Sequence, residues 1–150
     1  MLITVKLKDE PDGFRNLIRH NSPVLFLIPL ETMFFFFLHL KETDKAGEDG
    51  SFDIKQELIE QFDDEVLPQL EVLKPDVLCI TGDHSTPAAK AGHSWHEVPM
   101  LLASPYVRPS EPHEGFGERA CARGTYSRLE SVKLMNLLLA HSLKLKKFGA

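Results

Sequence analysis

The chain has 150 residues, a length that predicts one globular domain with a sizeable hydrophobic core. Its 17 Lys and Arg against 22 Asp and Glu give a net charge of −5, which argues against a general basic surface for nucleic acid or an anionic membrane. Hydrophobic residues at 43% and charged residues at 26% exclude a disordered chain, a collagen-like repeat and a coiled coil.

The cysteines and the longest apolar region indicate where the protein resides. Cys79 and Cys121 are far apart in the sequence and form no Cys-x-x-Cys pair, so neither a disulfide framework nor a structural zinc site is predicted. This pattern favours a reducing, cytoplasmic location. Pro29 and Glu31 interrupt the apolar region 23–40, which is therefore interpreted as two strands and not as a membrane span.

Short apolar runs predict the strands of a sheet that is covered on both faces. These runs are Leu2–Leu7, which alternates like an edge strand, and Val24–Leu30, Met33–Leu40, Asp76–Thr81 and Val98–Ser104, which are continuous. Between them, Ser51–Leu73 repeats apolar residues at helical spacing, with a kink or a break into two pieces expected at Pro68. Strands alternating with a helix predict an α/β fold with a mostly parallel sheet covered by helices.

The remaining segments predict a loop and two further helices. Residues 105–126 are rich in Pro and Gly and predict a long loop. Ser127-x-x-Glu130 matches a capping box for a C-terminal helix. The apolar stripe of that helix would contain Val132, Met135, Leu138, Leu139, Ser142 and Leu143. Near the N-terminus, 11–13 predicts a turn and 14–20 a short helix.

Three segments beside predicted strand ends carry side chains that can bind metal. They contain Asp44 and Glu48, then Asp83 and His84, and finally His93. Each alone is more typical of a solvated turn, a helix cap or a structural histidine. Because ligands bind at the carboxyl ends of strands in α/β sheets, the three segments would meet along one edge. Carboxylates and imidazoles without a thiolate favour Mn²⁺, Zn²⁺ or Fe²⁺.

Several longer motifs follow one another in the second half of the chain. They are LHLKETDKAGEDG (Leu38–Gly50), KPDVLCITGDHSTP (Lys74–Pro87), GHSWHEVPMLL (Gly92–Leu102) and FGERACARG (Phe116–Gly124). Together they resemble the C-terminal half of the archaeal-type, 2,3-bisphosphoglycerate-independent phosphoglycerate mutases, which belong to the alkaline-phosphatase-like metalloenzyme superfamily. The resemblance implies a partial, half domain of that fold over 33–150, with 1–32 an unassigned N-terminal segment.

This resemblance implies a site with two divalent ions and no requirement for 2,3-bisphosphoglycerate. Mn²⁺ is the expected metal, with Zn²⁺, Co²⁺, Fe²⁺ and Mg²⁺ as alternatives. By motif, Asp44 and His93 would hold one ion together with Glu48, and Asp83 and His84 would hold the other. Many relatives read GHDG where this chain reads GEDG, so Glu48 stands where they have histidine. A carboxylate at that position makes the site harder and more anionic.

The family interconverts 3- and 2-phosphoglycerate in glycolysis through a phosphoserine. Its nucleophilic serine and a further Asp ligand come from an N-terminal half, and nothing in 1–32 resembles that half. The resemblance therefore implies that this chain contains no catalytic nucleophile and is inactive alone. A complementing N-terminal half would be needed before 2- or 3-phosphoglycerate could react.

Two alternatives remain open from the sequence. The chain could be a non-catalytic metal-binding or interaction module, or one subunit of a split enzyme. Its unpaired strand edges and apolar helix faces would then call for self-association or a complementing polypeptide. A phosphatase or phosphopentose mutase of the same superfamily fits the metal ligands, but fits the Gly92–Leu102 and Phe116–Gly124 motifs less well.

Overall fold

The computed structural model describes residues 2–7, 24–30, 33–108 and 115–145. Strands and helices are mixed along this part of the chain, which confirms the α/β class. The strands are β1 (Leu2–Leu7), β2 (Val24–Leu30), β3 (Met33–His39), β4 (Val77–Thr81) and β5 (Leu101–Ala103). The helices are α1 (Glu42–Glu48), α2 (Phe52–Gln61), α3 (Leu67–Val72), α4 (Glu118–Cys121) and α5 (Leu134–His141).

The five strands form one sheet in the order β2-β3-β1-β4-β5, and every neighbouring pair among them is antiparallel. The prediction of a mostly parallel sheet is therefore wrong for these strands. β3 and β4 do run in the same direction, as a strand–helix–strand unit requires, but β1 lies between them and pairs antiparallel with both. β1 is thus a central strand and not the predicted edge strand. The carboxyl ends of β3 and β4 still lie at the same edge of the sheet.

One face of the sheet packs against the helical segment that joins β3 to β4. Phe36 and Leu38 of β3 and Leu78 and Ile80 of β4 form a buried cluster with side chains of that segment. The contributing residues are Phe62, Val66 and Leu70. Because side chains alternate along a strand, the intervening residues of β3 and β4 face the other side.

The joining segment is irregular just before Pro68, as its sequence predicts. Helix α2 continues into a single π-helical turn, Phe62–Val66, before α3 begins. Proline has no amide hydrogen to donate, so a regular α-helical ladder cannot run through this point. The apolar residues at helical spacing in Ser51–Leu73 are only partly buried, because Ile54 and Ile59 are exposed.

Helix α5 covers the opposite face of the sheet. Leu138 packs with Val77 and Cys79 of β4, and Leu134 lies against the same cluster. The predicted capping box is wrong: Ser127 has a positive φ of 40°, and a 3₁₀ turn, Ser131–Lys133, comes before the α-helix. Glu130 instead forms an ion pair with Lys133 at 2.8 Å. The helix therefore starts later than expected, and Val132, Met135 and Leu143 of the predicted stripe are exposed.

The predicted long loop contains a short helix, α4, within its described part. The turn at 11–13 and the helix at 14–20 lie outside the described residues. In the described ranges, no helix combines the length and the hydrophobicity that a membrane crossing needs.

Candidate metal centre

The first two predicted ligands lie on helix α1, a helix that the sequence pattern did not predict. Asp44 and Glu48 are four residues apart, so they lie on the same side of the helix, directly after β3. Thr43 supports the first turn by donating a hydrogen bond to the carbonyl of Leu40 at 3.3 Å. The helix buries its Thr43, Ala46 and Gly47 side and keeps Glu48 exposed.

Helix α1 approaches the loop after β4 very closely, and Gly47 makes this possible. A Cβ atom at Gly47 would lie 2.3 Å from the carbonyl oxygen of Thr86. Lys55 of α2 reaches the same point, and its Nζ donates a hydrogen bond to the Thr86 carbonyl at 2.5 Å. Two helices therefore fix the position of this loop.

The loop after β4 carries the next two predicted ligands. Asp83 is exposed, whereas His84 is half-buried. The Nε2 atom of His84 lies 3.6 Å from Oδ2 of Asp83, and its Nδ1 atom lies 3.9 Å from Oδ1 of Asp44. His84 therefore lies between the two carboxylates, with one ring nitrogen nearer to each.

His93 completes the group from a third segment. Its Nε2 atom lies 3.5 Å from Oδ1 of Asp44 and 3.4 Å from Oε1 of Glu48. The rings of His84 and His93 have centroids 3.9 Å apart. The amide of Ser94 donates to the carbonyl of Ser85 at 2.8 Å, which ties this segment to the loop after β4. Lys90 donates a further hydrogen bond to the carbonyl of His93.

The electrostatics favour an ionised carboxylate at the centre of the group. Burial raises the pKa of the Asp44 carboxyl. The hydrogen bond from Thr86 and the charges of His84 and His93 together lower this pKa by more than burial raises it. The net pKa of Asp44 therefore lies below its ordinary value. A carboxylate that stays ionised in a partly buried position is ready to bind a cation.

The geometry brings all five predicted ligands into one region. Asp44, His84 and His93 each offer a ligand atom within 4.8 Å of the others, and Glu48 and Asp83 flank this trio. Oxygen and imidazole donors without a thiolate fit a divalent metal. The sequence-based assignment grouped His84 with Asp83 alone, whereas in the structure His84 also lies close to Asp44.

His96 is separate from the group: its Nδ1 contacts Ser94 Oγ at 2.9 Å, and its ring stacks on Trp95.

Sequence reasoning missed two residues that hold the site together. The sequence pattern assigned no role to Thr86, but its hydroxyl donates to Oδ1 of Asp44 at 2.6 Å. Lys55 was counted only as part of an amphipathic helix. The motif TGDHSTP could have drawn attention to Thr86, whereas nothing in the sequence around Lys55 indicates its contact.

A cavity of about 990 Å³ opens beside the cluster of candidate ligands. It lies between β4, β5 and the segment around α4, and Asp83 is the one predicted ligand in its wall. Most of the lining is apolar, but Arg108 contributes a positive charge. The cavity is of a size that suits a small-molecule ligand.

Comparison with known proteins identifies related sequences and structures. The family described as the metalloenzyme superfamily matches residues 27–141. A probable 2,3-bisphosphoglycerate-independent phosphoglycerate mutase from Aquifex aeolicus is 53% identical over 116 residues, which cover 77% of this chain and 28% of the relative. Proteins of the same name from Thermus thermophilus and Deinococcus radiodurans are 54% and 50% identical over the same shares.

A solved structure shows a similar arrangement of the backbone. The PH0037 protein from Pyrococcus horikoshii superposes with a TM-score of 0.66 and is 34% identical. The match covers 72% of this chain and 33% of that protein. The chain thus spans less than a third of the length of the curated relatives and about a third of the solved protein.

Proposed function

The chain belongs to the metalloenzyme superfamily, and from this we propose that it forms the metal-binding part of a 2,3-bisphosphoglycerate-independent phosphoglycerate mutase. The observation that supports this most strongly is the convergence of Asp44, His84 and His93 from three separate segments. The names of relatives about half identical to this chain support the same activity. In this proposal 33–150 is part of a larger alkaline-phosphatase-like domain and 1–32 is a separate N-terminal segment.

The proposed site holds two divalent ions. Asp44, Glu48 and His93 hold one, and Asp83 and His84 hold the other. Three carboxylates and two imidazoles make a hard, anionic donor set, which suits Mn²⁺. Such ions, when bound, neutralise the charge on a phosphoryl group during its transfer.

The chain's own residues prepare the site and receive the substrate. Thr86 and Lys55 fix the loop after β4 against α1. The cavity beside Asp83 gives 3- or 2-phosphoglycerate room next to the ligands, and Arg108 in its wall would attract an anionic substrate. The attacking serine is proposed to come from the part of the longer relatives that this chain does not match.

Metal binding can be tested with Trp95, the single tryptophan of the chain. It is 83% exposed and lies two residues from His93, so bound Mn²⁺ should quench its fluorescence in a saturable way. His93→Ala should weaken the binding at least tenfold, because it removes a ligand. His96→Ala is the matched control, since it alters a histidine of the same segment outside the ligand group. Equal affinity in both variants, measured by calorimetry, would contradict the proposed ligand set.

Catalysis needs a separate test. The purified chain, supplied with Mn²⁺ and 3-phosphoglycerate, should form no 2-phosphoglycerate, because the proposal places the nucleophile elsewhere. A full-length relative serves as the positive control. Turnover by this chain comparable to that relative would show that it contains its own nucleophile.

The apolar cavity supports a second candidate, in which the chain is one subunit of a split enzyme. A largely apolar surface beside the short edge strand β5 is suited to a second polypeptide. Light scattering of the purified chain should then show self-association or binding of a complementing fragment. A clean monomer that binds no such fragment would contradict this candidate.

A further inference from the structure

The hydroxyl of Thr86 lies at the junction of the two proposed ligand sets. Thr86 is 4% exposed, so its hydroxyl must find partners within the protein. Its Oγ1 lies 2.6 Å from Oδ1 of Asp44 and 3.1 Å from Nδ1 of His84. A single buried oxygen therefore contacts one side chain from each set.

The hydrogen atoms at this junction can be assigned from donor and acceptor capacity. An ionised carboxylate accepts hydrogen bonds and donates none, so the one hydroxyl hydrogen of Thr86 points to Asp44. The oxygen then has only lone pairs left for His84. The contact between His84 Nδ1 and Oγ1 is a hydrogen bond only if Nδ1 carries a hydrogen and donates it.

This assignment leaves Nε2 as the lone-pair nitrogen of a neutral His84. That atom lies 3.6 Å from Oδ2 of Asp83. On distance alone, His84 could join Asp44 and His93 around one ion. The His84 nitrogen found 3.9 Å from Oδ1 of Asp44 is Nδ1, and a hydrogen on it prevents that nitrogen from binding a metal beside Asp44.

We propose that Thr86 is a positioning residue that holds the hydrogen of His84 on Nδ1, so that His84 binds metal through Nε2 together with Asp83. Thr86 thereby separates the two ligand sets. The inference concerns the two-ion site of the proposed function and rests on it for the metal, but the hydrogen position is a property of the metal-free chain.

The position of Thr86 is fixed by contacts with two helices. Its carbonyl accepts the hydrogen bond from Lys55, and the absent side chain of Gly47 gives that carbonyl its space. The hydroxyl is thus placed by contacts on its own backbone, and it holds the ring of His84 through a contact within the protein. Partners of this kind on ligating histidines typically change metal affinity by 10–100-fold.

The hydrogen position can be measured directly by ¹⁵N NMR of the metal-free chain with labelled histidine. At about pH 8, where an ordinary imidazole is neutral, the two ring nitrogens of each tautomer have distinct shifts. His84 should show the hydrogen on Nδ1. Thr86→Val should abolish this preference, whereas Thr86→Ser, which keeps the hydroxyl, should retain it. A wild-type chain with the hydrogen on Nε2, or an unchanged preference in Thr86→Val, would overturn the proposal.

A Mn²⁺ titration adds a readout at the metal. The wild type should bind two ions, and Thr86→Val should bind the ion at Asp83 and His84 10–100-fold more weakly. Thr81→Val is the matched control, because the Thr81 hydroxyl donates to the Pro99 carbonyl at 3.0 Å and not to a ligand. Equal affinities in Thr86→Val and Thr81→Val would contradict the role of Thr86. A chain that shows the expected hydrogen position but binds no Mn²⁺ would contradict the proposed function and leave the role of Thr86 intact.

Discussion

Gly47 lies where helix α1 comes closest to the loop after β4, and this contact controls the geometry of the site. Gly47→Ala would place a methyl group against the Thr86 carbonyl, a backbone atom that cannot move independently. We expect a loss of about 1–3 kcal/mol in the free energy of unfolding, as for other overpacked positions. The displaced loop should also weaken Mn²⁺ binding. Chemical denaturation and calorimetry measure the two effects.

Gly92→Ala is the matched control for this change. A Cβ atom at Gly92 meets no other atom within 4 Å, so its stability should change by no more than about 0.5 kcal/mol. Equal effects of the two substitutions would show that the close approach at Gly47 has no energetic role.

Cys79 provides a pH-dependent test of the burial of a single residue. Burial raises the pKa of its thiol to about 12. Above about pH 8.5 the thiol ionises in the unfolded chain but stays protonated in the folded one, so this residue reduces stability as pH rises. Cys79→Ala has no thiol, so its free energy of unfolding lacks this decrease. The difference in free energy of unfolding between the wild type and Cys79→Ala should therefore shrink by about 1.4 kcal/mol per pH unit between pH 9 and 11. A constant deficit in urea denaturation over that range would contradict the burial.

The candidate ligands could be proposed from the sequence because their chemistry belongs to their residue types. Asp, Glu and His can bind metal wherever they are found, and the motifs placed them next to strand ends. The roles of Thr86 and Lys55 come instead from a hydrogen bond between distant elements, and many threonines and lysines have no such role. Residue type alone therefore could not identify them.

Helix α3 has one buried side and one exposed side. Leu70 is 0% exposed and packs under the sheet, whereas Val72 is 79% exposed two residues later. Leu70→Ala should cost about 2–5 kcal/mol in the free energy of unfolding, because it leaves a cavity. Val72→Ala in the same helix should stay within about 0.5 kcal/mol. Thermal unfolding of both variants checks the difference, and a similar shift in both would contradict the packing of α3.

The boundaries of elements were less predictable than their existence. Helix α1 has seven residues and contains a glycine, so it shows too little of a helical pattern to be recognised. The capping box at Ser127 had the correct residue types, but the backbone there turns in the left-handed region instead of entering a helix. A capping pattern in the local sequence therefore starts a helix only where the surrounding structure permits it.

The order of the strands is a property of the whole molecule, and β1 determines it. β1 separates β3 from β4 by the width of one strand, and the ligand segments follow the ends of those two strands. Sheet order depends on contacts between remote parts of the chain, so local patterns could predict the strands but not the central position of β1.

Thr4→Pro tests this role of β1. The substitution removes a backbone donor from a central strand, which leaves a carbonyl unpaired at a cost of about 1–3 kcal/mol. We expect a lower melting temperature and weaker Mn²⁺ binding, although no ligand changes. Thr4→Ala keeps the amide and should retain wild-type metal affinity. Wild-type affinity in a folded Thr4→Pro variant would show that the ligand segments hold their positions without β1.

The central position of β1 also has a consequence for the speed of folding. Leu2 pairs with Thr81, so this strand can close its ladder only after a loop spanning half the chain has been ordered. Contacts between residues so distant in sequence form slowly, because the entropy of closing the loop is lost before the contact stabilises it. The hairpin of β2 and β3 and the helices after it involve shorter separations. We therefore expect metal-binding competence to appear late in refolding, after most of the helical structure has formed.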